Sequence, residues 1–155
     1  MVPRILPKHH DFSPMPERPT LFGTDLKLGD RFGGFDLLPS AVHNIDVATG
    51  NDNIIQALIL RLRVRQGELA PLGWPAYGSR IHELIGELNI PRTHLKLMAF
   101  ARNALLQDPR VEDILDIRAQ VLPGERTTVR LLIDIQLIDQ PTPLNLVYDV
   151  NLEAP

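Results

Sequence analysis

The chain contains no cysteine, which excludes disulfides and thiolate metal sites but says little about redox compartment. It has no apolar run approaching the ~20 residues that a membrane span needs. The N-terminal stretch MVPRILPKHHDFSPMPERP has prolines and charges where a signal peptide needs an apolar segment, so a cytoplasmic protein is expected. Net charge is -3, which leaves no global basic field to gather nucleic acid. Lysine is scarce too, with 3 Lys against 13 Arg. Arginine's planar fork suits fixed bidentate contacts, including those at protein interfaces; GC-rich codon usage explains the same skew equally well. What remains is ordinary for a globular protein. The 155 residues are 44% hydrophobic and 23% charged, enough for one domain with a real core.

Two regions differ in texture. Residues 1–40 hold 6 of the 14 prolines together with Gly23, Gly29, Gly33 and Gly34. Few hydrogen-bonded ladders survive that density, so residues 1–44 read as an extended arm with one short strand near Thr24–Leu28. Such an arm is either disordered or laid along a partner. Residues 45–155 read as a single domain. Ile45–Val47 is a candidate strand ended by Thr49-Gly50, and Asn51, Asp52 or Asn53 can cap the helix that follows. In that helix Ile55, Leu58, Ile59 and Leu62 share one face, and Ile54, Leu60 and Val64 widen it. Arg61 and Arg65 are expected one turn apart near its end, with Gly67 as a left-handed cap. Ser79 is placed to cap a short second helix, Arg80–Ile85, ended by Gly86. A third runs from Pro91 or Thr93 to about Gln107 and is stopped by Pro109.

The last third switches to a period of two. Leu115, Ile117, Ala119 and Val121 alternate with polar residues, Pro123-Gly124 marks a turn, and Val129, Leu131, Ile133, Ile135 and Leu137 alternate again. After Gln140-Pro141-Thr142-Pro143, Leu144, Leu146, Tyr148, Val150 and Leu152 define a third strand. The expected fold is therefore α+β, with about three helices packed on one face of a small, mostly antiparallel sheet. The final strand has no proline inside it. Its edge either accepts a strand from another chain or is covered by the N-terminal arm.

Reaction chemistry is hard to find. His9-His10, His43, His82 and His94 show no zinc-ligand spacing, and no metal or cofactor is expected. Gly29 to Gly34 fits neither a dinucleotide fingerprint nor a phosphate loop, and Ser40 and Ser79 lack a nucleophile elbow. Glu68 and Glu83 could be cast as the two carboxylates of a glycosidase, but one of them would need a raised pKa. Trp74, Pro75 and Tyr77 read as residues that pin a loop to the core, with a sugar-stacking surface as the other reading. Asp108-Pro109-Arg110 is sharper. The proline stiffens the chain between an acid and a guanidinium, so that Arg110 is either offered to a partner or closes an internal ion pair.

The runs NIIQALILRLRVRQGEL, PLGWPAYGSRIHELIG and LLQDPRV resemble the baseplate wedge and sheath-initiator family of contractile injection systems. That family includes contractile phage tails, tailocins, extracellular contractile systems and the type VI secretion baseplate. The resemblance spans residues 45–138. Its most specific part is the block from Gly67-Glu68 through Trp74-Pro75 to Tyr77-Gly78-Ser79, a structural loop. The family's Glu-Pro-Arg signature stands here as Asp108-Pro109-Arg110, with the acid one methylene shorter. The resemblance implies a non-enzymatic virion or injection-particle component, assembled in the cytoplasm. It implies attachment to a core bundle of larger wedge proteins through Asp108, Pro109 and Arg110. It also implies strand pairing with the sheath protein through the strands that carry Val129, Leu131 and Ile133 and Leu146, Tyr148 and Val150. The arm is left to contact tube or hub proteins. No nucleic acid, membrane or small-molecule substrate is implied. Some members carry a lysozyme label, which keeps a peptidoglycan muramidase as an alternative. A divergent branch acts as a regulatory anti-adaptor, which keeps a binding module as another. Arg110→Ala is expected to leave the fold intact and abolish wedge binding.

Overall fold

The computed structural model describes residues 22–31, 34–40 and 44–153. His9-His10, His43 and most of the proline-rich arm lie outside these residues. The elements run β1 (Thr24–Leu26), β2 (Leu28–Arg31), β3 (Gly34–Leu37), β4 (Val47–Thr49), α1 (Gly50–Arg63), α2 (Pro91–Leu105), β5 (Val111–Val121), β6 (Thr128–Leu137) and β7 (Leu144–Asn151). Single 3-10 turns at Ala70–Leu72 and Ile81–Leu84 lie between the helices.

The α+β class fits, but three helices on one sheet does not. Among the described residues there are two α-helices and three small antiparallel sheets: β1 with β4, β2 with β3, and β5-β6-β7. The expected middle helix is only a 3-10 turn. Glu83 donates to the Arg80 carbonyl and Ile85 to that of His82, both three-residue steps. Six residues between Ser79 and Gly86 leave no room for a nucleus of four-residue turns. The region expected to be an extended arm carries two ladders, each three or four pairs long.

The core is built as the period-two pattern requires. Every second residue of β6 (Val129, Leu131, Ile133, Ile135, Leu137) is buried, and Leu144, Leu146 and Val150 of β7 join them. Ile54, Leu58 and Leu62 of α1, with Leu97, Ala101, Ala104 and Leu105 of α2, close over that face. On β5 the alternation breaks. Leu115, expected inward, is exposed, because the register shifts between Ile114 and Asp116. A bulge moves the next side chain to the other face.

Helix α1 departs from expectation at both ends. Thr49 is its N-cap without a side-chain hydrogen bond, and the helix ends at Arg63, before Gly67. The reason lies in the chain 15 residues on. Ser79 donates its amide to the Val64 carbonyl at 2.8 Å and its hydroxyl to the Leu62 carbonyl at 2.6 Å, and Gln66 donates back to the Ser79 carbonyl. These carbonyls are the ones a helix end leaves unsatisfied. Arg65 and Ser79 form a parallel bridge, so Arg65 is not on the Arg61 face. No helix among the described residues is long and apolar enough to cross a membrane.

Candidate functional site

Pro109 ends α2 one turn after Leu105, and Asp108 turns back into the corner between α2 and β5. Asp108 is 4% exposed. Its Oδ1 accepts from the Arg110 amide at 3.0 Å and from Arg110 Nε at 2.9 Å, and its Oδ2 accepts from Arg110 Nη2 at 2.8 Å. Of the two readings of Asp108-Pro109-Arg110, the internal ion pair is therefore the observed one. The Arg110 fork is spent on its own neighbour, and only the remainder of the guanidinium faces outward. Removing Arg110 would strand a buried carboxylate, so Arg110→Ala is not the fold-neutral change expected from sequence. Burial pushes the Asp108 carboxyl up, but the hydrogen bonds and charge of Arg110, helped by Arg61, outweigh it and hold the acid below its usual range.

Arg61 is the residue that the pattern reading passed over. Its place in the sequence suits a cation at a helix end, yet it lies on the buried face with Ile54, Leu58 and Leu62. At that spacing an arginine among leucines was a visible signal. Its Nη2 is 3.9 Å from Asp108 Oδ2, and its guanidinium lies over the Tyr77 ring, 4.4 Å from the centroid. Desolvation raises the Tyr77 hydroxyl, opposed in part by the charge of Arg61. Tyr77 meets Trp74 edge-on at 6.2 Å. Trp74 itself is 61% exposed, so it does not pin the loop to the core; Tyr77 and Arg61 do that. Arg61, Trp74, Pro75, Tyr77, Gln107 and Pro109 line an open groove of about 490 Å³ beside the corner.

The rest of the structural loop supports this corner. Gly67 takes a left-handed φ of 87° just beyond the helix, and Glu68 accepts the Arg65 amide. Gly78 passes so close to Val64 and Arg65 that a Cβ would clash with their carbonyls. Ser79 is buried. Glu83 is locked in the fork of Arg80 at 2.7 Å through both oxygens, and that hydrogen bond lowers its pKa. Among the described residues every carboxylate displaced from its ordinary value (Glu83, Glu87, Asp108, Asp149) is displaced downward. None of the described residues form a group of three His, Cys, Asp or Glu able to hold a metal.

The strand residues expected to pair with a partner divide. Val129, Leu131 and Ile133 belong to β6, the central strand, whose main chain is already paired with β5 and β7. A further strand cannot add there. Leu146, Tyr148 and Val150 belong to β7, an edge. Leu152 donates to the Thr127 carbonyl at 2.8 Å, which makes Thr128 and Asn151 a non-hydrogen-bonded pair. Alternation along the ladder then turns the main-chain groups of Leu144, Leu146, Tyr148 and Val150 toward β6. Those of Asn145, Val147, Asp149 and Asn151 point to the free side. The β5 edge is different. It carries two bulges, and at Ile114 both main-chain groups are occupied by side chains: Asp113 accepts the amide, and Arg102 donates to the carbonyl at 2.7 Å.

No protein-family model matches the chain, and no curated protein matches it. A crystal structure from Geobacter sulfurreducens, provisionally described as a tail lysozyme, is similar to it with a TM-score of 0.59 and 22% identity. The match covers 69% of this chain and 95% of that one. The two proteins share a fold. The shared fold accounts for most of the Geobacter protein, while nearly a third of the present chain lies outside it.

Proposed function

We propose that this chain is a non-enzymatic structural part of a contractile tail or injection machine. The Asp108–Arg110 corner attaches it to larger wedge proteins, and its sheet takes a strand from the sheath protein to start sheath polymerisation. It assembles in the cytoplasm and ends in the particle's baseplate. The observation that carries this reading is the contrast between the two sheet edges. The β5 edge is blunted by bulges and side chains, whereas β7 runs eight residues in unbroken register with no partner on its outer side among the described residues. Natural sheets seldom leave such an edge unprotected without using it. The fold shared with a tail protein supports the same setting.

The Geobacter protein's description favours a wall hydrolase as the second reading. A general acid needs a carboxyl held above its ordinary range, and the Arg80 fork drives Glu83 the other way. Clearing of a cell-wall suspension by wild type, lost in Glu68→Gln or Glu83→Gln, would reinstate it.

The decisive test uses proline as a main-chain probe. The Val147 amide faces the free side, so Val147→Pro removes one outward donor and no ladder bond to β6. The variant should keep its far-UV spectrum and melting midpoint yet fail to seed or co-purify the sheath protein. Tyr148→Pro, whose amide faces β6, should instead unfold the strand. Wild-type seeding by Val147→Pro would remove β7 as the pairing edge.

A further inference from the structure

We propose that the groove beside the corner receives an acidic side chain of the partner, next to an apolar or aromatic group that lies against Trp74. The proposal rests on the attachment role given above and adds the chemistry of the partner. Two guanidiniums, Arg61 and Arg110, share one carboxylate, Asp108. Arg110 takes both oxygens of that carboxylate at hydrogen-bond distance, and Arg61 stands off at 3.9 Å. Arg61 is only 8% exposed, and its Nε has no hydrogen-bond partner.

A buried cation held by a distant acid and one aromatic face is incompletely neutralised, which is costly in isolation. What the cluster lacks is one anion. The walls of the groove say what accompanies that anion. Trp74, Pro75, Tyr77 and Pro109 are flat or apolar, and Trp74 is largely open to solvent, so a bare phosphate finds little to bind there. A carboxylate beside a flat hydrophobic group fits both halves. Association would complete the charge balance and bury Trp74 together, giving a charge-assisted contact within a water-excluding rim.

Trp74 is the sole tryptophan, so its emission reports on this groove alone. Full-length protein is titrated with phenylacetate and, separately, with phenylacetamide, which keeps the shape and removes the charge. Phenylacetate should shift Trp74 emission saturably, and the amide should bind roughly tenfold more weakly. Arg61→Met should abolish the preference for the acid; because Arg61 also lies against Tyr77 and Asp108, far-UV spectra and the melting midpoint are recorded beside the titration to confirm that the variant is folded. Equal binding of acid and amide by wild type overturns the proposal, whatever the variant does. An undiminished acid preference in Arg61→Met overturns it as well. Trp74→Ala tested for co-purification with wedge proteins separates the two levels. Loss of the wedge proteins there, with no acid preference in the titration, would leave the attachment reading standing and remove the acidic partner.

Discussion

At Gly78 the backbone runs at φ 102°, and a Cβ built there would lie 2.6 Å from the Val64 carbonyl oxygen. Gly67 also has a left-handed φ, 87°, but a Cβ on it meets nothing within 4 Å. The pair separates two costs that are usually confounded. Gly67→Ala should lose about 1–2 kcal/mol from the conformation alone. Gly78→Ala should lose more, about 3–4 kcal/mol, because the Val64–Ser79 crossing must also open. Urea midpoints of the two variants measure the difference, and equal shifts would mean that the close approach costs nothing. Asp108 sets a different residue-scale test. Its folded pKa is depressed, so its contribution is complete above the unfolded carboxylate value of about 4 and is lost as pH falls below it through the folded value. Acid unfolding of wild type should therefore steepen in that range. Asp108→Asn should be less stable at neutral pH and should lose that part of the acid dependence.

Elements whose burial follows one unbroken period could be read from sequence, and those shaped by a distant segment could not. The alternation in β6 and β7 survives because their register is regular over eight pairs. In β5 it fails at Leu115, since a bulge changes which face a residue takes without changing the residue. Helix α2 ends close to the expected point because Pro109 enforces it locally. Helix α1 is capped at Val64, three residues before the expected Gly67, because Ser79 terminates it from across the loop. The corner divides in the same way. Asp108-Pro109-Arg110 is legible as a motif, but its partner Arg61 comes from another helix, and its sequence position marks it only as a cation near a terminus. Whether β5 or β7 is the open edge depends on strand order, which alternation does not encode.

On the scale of the whole molecule, stability should be graded. The β5-β6-β7 sheet and both helices share one apolar core, whereas Leu26, Leu37, Ile45 and Val47 of the N-terminal segments are well exposed; Ala48 of β4 is buried. Phe22 packs against that core, and polar bonds add to its hold on the segments. The Gln56 side chain donates to the Leu26 carbonyl at 2.8 Å and accepts the Leu28 amide at 2.7 Å, bridging from α1 like a surrogate strand. Hydrogen exchange should then show two tiers. Amides of β6 should exchange only with global unfolding, and those of β1 and β4 through cheaper local opening. Gln56→Leu removes both bonds, each worth about 1 kcal/mol, so it should speed exchange at Leu28 and its ladder neighbours by at least roughly tenfold and leave β6 unchanged. The β1–β4 ladder joins residues on both sides of the boundary expected at residue 45. Uniform slow exchange across β1, β4 and β6 would make the arm and the domain one cooperative unit. A fast N-terminal tier would leave these ladders free to rearrange on a partner while the sheet that offers β7 stays fixed.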